Sequence, residues 1–153
     1  MTHLSAVHRP DPPARRVAWL GLATVLAAGL GLRLWLLSAH PSLYADEAVG
    51  ALMAKHIAEG REWPAFFYGQ AYFGALDSYV TAALVRLLGW RYQVTLVLPV
   101  VASLALAVLA YLLGRGLAGA EAGLLAAALM ALPGASILWA EVHNGAFSFA
   151  AAL

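Results

Sequence analysis

Apolar residues dominate long stretches of this chain, and the polar positions that interrupt them divide it into elements. Val17 to Leu37 is a run of Leu, Ala, Val, Gly and two Trp broken only by Thr24 and Arg33. Its length matches the roughly 20 residues needed to cross a bilayer core. Val94 to Leu113 and Ala122 to Ala140 repeat the pattern, with Pro99 tolerated near the end of one and Pro133-Gly134 marking a kink in the other. Between the first two runs the pattern changes to a helical alternation. Val49, Leu52, Met53 and Ile57 recur on one stripe, Asp46, Lys55 and Glu59 lie off it, and Gly60 supplies a stop. A second such stripe runs from about Gly74 to Leu88 through Leu76, Val80, Ala83, Leu84 and Leu87. Both helices suit an interfacial position on the bilayer surface.

The expected fold is all-α and multi-pass. Residues 1–16 form a tail, 17–38 a first transmembrane helix, and 39–93 a long loop with two interfacial helices. A second span follows over 94–113, a turn over 114–121 and a third span over 122–140. Residues 141–153 are an outer turn and the start of a fourth span near Gly145. Residues 71–88 are nearly long enough to cross as well. Asp77 and Arg86 within them favour the interfacial reading, since Asp near a helix centre costs on the order of 2.5–3.5 kcal/mol on insertion. The chain stops inside an apolar run, so the expectation is the N-terminal portion of a longer protein.

Composition sharpens this picture. Hydrophobic residues make up 63% and charged ones 11% of the chain, outside the range of a soluble domain. A net charge of +1 without a basic face excludes nucleic acid as a partner. There is no cysteine, so thiol catalysis, disulfides and cysteine-bound zinc are excluded. Arg9, Arg15 and Arg16 precede the first span and place the N-terminus in the cytoplasm. Arg33 is expected to snorkel toward the far interface. By parity, Asp46-Glu47 and Glu141-Val142-His143 then emerge on the same outer face.

Acidic side chains are scarce here, which makes the adjacent pair Asp46-Glu47 the best lead to chemistry. The pair admits a structural role, with Asp46 as helix N-cap and Glu47 at the positive end of the dipole. It also suits deprotonation of a hydroxyl or the holding of a cation, because neighbouring carboxylates drive one pKa upward. His143 and Glu141 are candidates to complete a polar or metal site. Lys55, Arg61, Arg86 and Arg91 suit a phosphate-bearing ligand, or simply balance Glu59, Glu62 and Asp77. Trp63, Phe66, Phe67, Tyr68, Tyr72 and Phe73 form an aromatic belt.

One span, then Tyr44-Ala-Asp46-Glu47-Ala, then Ala51-Leu-Met-Ala-Lys-His-Ile-Ala-Glu-Gly60, Trp63-Pro64 and Tyr68-Gly-Gln-Ala-Tyr72-Phe-Gly-Ala-Leu-Asp77, resembles the dolichyl-phosphate-mannose-protein mannosyltransferase-like enzymes. These are membrane glycosyltransferases of the GT-C fold, related to the bacterial aminoarabinose transferases. The resemblance implies transfer of a sugar, with inversion, from a polyprenyl-phosphate donor to a hydroxyl of a lipid or protein acceptor. The reaction would take place on the periplasmic face of the bacterial inner membrane. It assigns the base to Asp46 with Glu47 in support, and makes Lys55, Tyr68, Gln70, Tyr72 and His143 substrate-binding candidates. The aminoarabinose branch carries Glu-Lys-Pro-Pro after its Tyr-Phe, where this chain has Gly74-Ala75, so a divalent metal stays an open question. Two rival functions are a transporter or flippase of a lipid-linked substrate, and a non-catalytic membrane fragment.

Overall fold

The computed structural model describes residues 12–39 and 44–143. The fourth span expected near Gly145 lies outside these residues. Helix α1 (Pro12–Ala39) is followed by α2 (Ala45–Ala58), a hairpin of β1 (Phe66–Phe67) and β2 (Gln70–Gly74), and α3 (Leu76–Leu88). A single turn α4 (Tyr92–Thr95) then leads into α5 (Val97–Ala118), α6 (Ala120–Ala131) and α7 (Ala135–His143). The described chain is therefore helical apart from one short antiparallel hairpin, in a segment where the sequence pattern predicts only an aromatic stretch.

Two helical stretches, Arg16–Ala39 and Tyr92–Ala118, are long and apolar enough to cross a membrane. A third candidate is the pair α6 and α7, bent by 67° at the Pro133-Gly134 break. Helix α1 starts inside the expected tail because proline is accepted in a first helical turn, where its missing N–H has no partner to lose. Pro99, in the first turn of α5, is accommodated in the same way.

The three apolar helices pack through small contacts, as helices do when lipid surrounds them. Gly119, with φ +92°, turns the chain between α5 and α6 in a conformation that favours glycine. Just beyond it, a Cβ on Gly123 would stand 2.6 Å from the carbonyl oxygen of Tyr111, so only glycine lets the two backbones approach this closely. Leu22, Tyr111 and Ala127 fill the space among α1, α5 and α6. On the outward faces Leu20, Leu109, Leu117 and Leu129 are exposed, as lipid-facing residues would be.

Segment 44–91 folds into a small module of its own. Met53, Ala54 and Ile57 of α2 pack on Ala82 of α3 and on Phe67 of the hairpin. Leu52 of the apolar stripe is exposed, and the buried residues of α2 are Ala51, Met53, Ala54 and Ile57. Arg86 reaches from α3 to the last turn of α2, its Nε 2.8 Å from the carbonyl of Ala58 and a terminal nitrogen 3.1 Å from that of Ile57. Those carbonyls have no helical donor left, and the cation suits the negative end of the dipole. At 13 residues α3 is only about 20 Å long, short of the hydrocarbon thickness, and it packs on α2.

Arg33 departs most from expectation. It does not snorkel: it is fully buried between α1, α5 and the break between α6 and α7. Its Nε donates to Ser103 Oγ at 2.8 Å, and one terminal nitrogen donates to the carbonyls of Gly29 at 3.1 Å and Ala131 at 2.7 Å. The other pairs with Glu141 Oε2 at 2.5 Å. In a continuous helix Ala131 would receive the N–H of Ala135; the break removes that donor and Arg33 replaces it. Charge, partners and break thus account for one another.

Candidate functional site

The site is built where the 44–91 module meets the ends of α1, α5 and α7. Helix α2 begins at Ala45, so the N-cap position belongs to Tyr44, and Asp46 lies within the first turn instead of capping it. Glu47 Oε2 accepts the backbone N–H of Tyr44 at 3.3 Å, the returning half of a capping box. That contact directs the Glu47 side chain inward while Asp46 stays exposed. The two adjacent acids are thereby split into a buried one and an accessible one.

Glu47 is 5% exposed and fully engaged. Tyr92 donates its hydroxyl to Oε2 at 2.9 Å, and the His143 ring meets Oε1 through Nδ1 at 3.1 Å. A carboxylate can only accept, so His143 Nδ1 carries the hydrogen. The ring is held further by Trp139, its centroid 4.2 Å away, and by Tyr44 at 5.4 Å. His143 is 2% exposed, and its Nε2 has no partner among the described residues.

Two spaces adjoin this Glu47–His143–Tyr92 wall. On one side lies a cleft lined by Asp46, Glu47, Gln70, Asp77, Ser78 and Thr81, with Leu96 and Pro99 closing it. It encloses about 60 Å³, room for a few water molecules, with the exposed Asp46 among its lining residues. On the other side a groove of about 550 Å³ runs between α1 and the α4–α5 segment, lined chiefly by Leu and Val. Glu47 faces the cleft, while Tyr92 and His143 face the groove.

Of the residues singled out from sequence, Asp46, Glu47 and Gln70 come together in the cleft, and His143 reaches Glu47 from the groove side. The others lie elsewhere. Lys55 sits over the Trp90 ring, 5.5 Å from its centroid. Tyr68 donates to Glu62 and contacts His56 Nδ1 at 3.2 Å; burial and the Glu62 carboxylate push its pKa up to about 12. Tyr72 is 85% exposed on the hairpin. Glu141 is bound to Arg33 and does not extend the His143 site. Arg61 pairs with Glu59 at 2.9 Å, and Arg86 is committed to α2. Among the described residues no three His, Cys, Asp or Glu gather as metal ligands.

Asp77 is the residue that sequence reasoning passes over. The pattern uses it for charge balance, as an obstacle to insertion and as the end of the resembling stretch, without a role in the site, yet it lines the cleft with Asp46, half-buried, and its Oδ2 has no partner among the described residues. Desolvation raises its pKa above the ordinary value, against a smaller lowering by a backbone hydrogen bond. An acid with a raised folded-state pKa supports the fold below its unfolded value and loses that support as pH rises through the folded value. Asp77→Asn is therefore expected to be at least as stable as the parent protein at neutral pH. Its Tm should also fall less between about pH 4 and pH 7. Thermal unfolding of the two proteins across that range checks both expectations; a steeper fall in the variant would refute the assignment.

Comparison with protein-family models, with curated proteins and with solved structures finds no match for this chain.

Proposed function

We propose that this chain belongs to a membrane glycosyltransferase that transfers a sugar from a polyprenyl-phosphate donor to an acceptor hydroxyl, with inversion. The observation that carries the reading is the pairing of a carboxylate-lined cleft with an apolar groove across one wall of side chains. A lipid-linked sugar has that same division, with an apolar chain, an anionic junction and a polyhydroxyl head. In this reading the lipid lies along the groove and the sugar at the mouth of the cleft beside Asp46, where Gln70 and Asp77 offer hydrogen-bonding partners.

The chemistry follows from the accessibility of Asp46. The acceptor oxygen attacks the anomeric carbon from the face opposite the phosphate, and Asp46 takes the hydroxyl proton as the new C–O bond forms. The bond from the anomeric carbon to the phosphate oxygen breaks, and the electron pair leaves with the lipid phosphate. Glu47 has its acceptor capacity committed to Tyr44, Tyr92 and His143, so it holds the site together and leaves the proton transfer to Asp46. In this reading the arginines at the N-terminal end of the first span place the N-terminus in the cytoplasm, and the site lies on the periplasmic face of a bacterial inner membrane.

The transporter reading has one observation in its favour, the buried Arg33–Glu141 pair, since ionised groups within spans often mark a path. The Arg33 donors meet structural acceptors on three helices, which favours a role in holding the bent helix. The two functions separate in proteoliposomes of the full-length protein supplied with polyprenyl-phosphate sugars or with nucleotide sugars. Transfer from the lipid-linked donors alone is expected. Passage of the donor across the bilayer with its sugar bond intact, or transfer from the nucleotide sugars, would overturn the proposal.

A further inference from the structure

The groove between α1 and the α4–α5 segment has an order along its length. Helices α1 and α5 run antiparallel, since Leu22 packs near Tyr111 while Arg33 bonds Ser103. Leu34 and Val101 therefore lie toward one part of the lining, while Ser38, Tyr92, Gln93 and His143 collect toward the other. The hydroxyls there are committed: Ser38 donates to the Trp35 carbonyl at 2.8 Å, and Tyr92 to Glu47. His143 is different. It is only 2% exposed, its Nδ1 is held by Glu47, and Nε2 is left without a partner among the described residues.

A buried polar nitrogen without a partner carries a desolvation penalty that a bound ligand can relieve. Its setting restricts the ligand to one that is apolar along most of its length and ends in a hydrogen-bonding group. The Glu47 contact adds charge to the selection. With its hydrogen on Nδ1, the ring presents a lone pair at Nε2 to the O–H of a phosphate monoester, and transfer of that proton leaves a ring that donates to the Glu47 carboxylate and to the phosphate together. Free phosphate would gain nothing from the Leu and Val walls, and a lipid alcohol would donate to Nε2 without giving up its proton, so its bond lacks the charge assistance.

We propose that His143 is the residue that recognises the phosphate of a single-chain prenyl lipid lying in this groove, with Glu47 positioning the ring. This deepens the function proposed above and rests on it for the identity of the lipid. The phosphate then stands at the wall between groove and cleft, which sets the sugar on the Asp46 side and the chain on the lipid side.

The test compares affinities of the full-length protein in nanodiscs for undecaprenyl phosphate and for undecaprenol. His143→Asn keeps an amide N–H where Nδ1 donates to Glu47 and deletes Nε2; His143→Gln places an amide nitrogen nearer the Nε2 position. The preference for phosphate over alcohol is expected to fall about tenfold in His143→Asn, the worth of one charge-assisted hydrogen bond, and to recover in part in His143→Gln. A merely structural role would weaken both lipids together and leave the ratio unchanged, which would overturn the proposal. Displacement of the lipid by inorganic phosphate at comparable concentration would overturn the lipid source. Because the assay needs no turnover, an altered ratio stands even if sugar transfer proves absent, so failure here and failure of the transferase reading are distinguishable.

Discussion

Arg33→Leu is expected to destabilise the fold by about 3–5 kcal/mol, the usual result of removing one partner from a buried ion pair. Three losses act together. Glu141, 16% exposed, keeps a charge with its short 2.5 Å partner gone. The Ala131 carbonyl, already deprived of a helical donor by the break, loses its 2.7 Å bond. Ser103 Oγ loses the donor that ties α5 to α1. Arg33→Lys should recover little, because a point charge cannot reach acceptors on three helices at once. Thermal unfolding in detergent would show a large fall in Tm for both variants. Adding Glu141→Gln to Arg33→Leu should return part of the loss, and a near-parental Tm for Arg33→Leu alone would contradict this account of the bent helix.

The second large effect is on chemistry. Asp46→Asn keeps the size and exposure of the side chain and removes its capacity to take a proton. General-base contributions of about 10²–10⁴-fold are typical, so transfer should fall into that range below the parent. Stability should be nearly untouched, because Asp46 is exposed and does not form the N-cap of α2. Loss of activity with an unchanged Tm is the signature that separates it from Arg33→Leu, where both fall.

These two residues also show what a sequence can reveal. The long apolar helices are legible because an uninterrupted apolar run of membrane length is a local signal, and α2 and α3 are legible as helices from their spacing, although the buried residues of α3 are Ser78, Thr81, Ala82 and Val85 and not the Leu76–Leu87 stripe. Asp46-Glu47 stands out because carboxylates are rare in so apolar a chain. Which of the two is buried is not legible: it depends on Tyr44 occupying the cap, a difference of two positions. Arg33 escapes a local reading because its partners Ser103, Ala131 and Glu141 are 70, 98 and 108 residues away. Local pattern supplies only the general expectation that a lone arginine snorkels. The hairpin is hidden because its strands of two and five residues are too short to set an alternating pattern. Asp77 means little singly, and its significance comes from sharing a cleft with Asp46 and Gln70.

The central claim is that Asp46 accepts the acceptor proton at the mouth of that cleft. Its most direct test is the single-turnover rate of sugar transfer from a polyprenyl-phosphate donor, compared between the full-length parent protein and its Asp46→Asn variant in the same proteoliposomes, with donor binding measured in parallel. The account predicts unchanged donor binding and a rate about a thousandfold lower for Asp46→Asn. Transfer at the parental rate by the variant would contradict it.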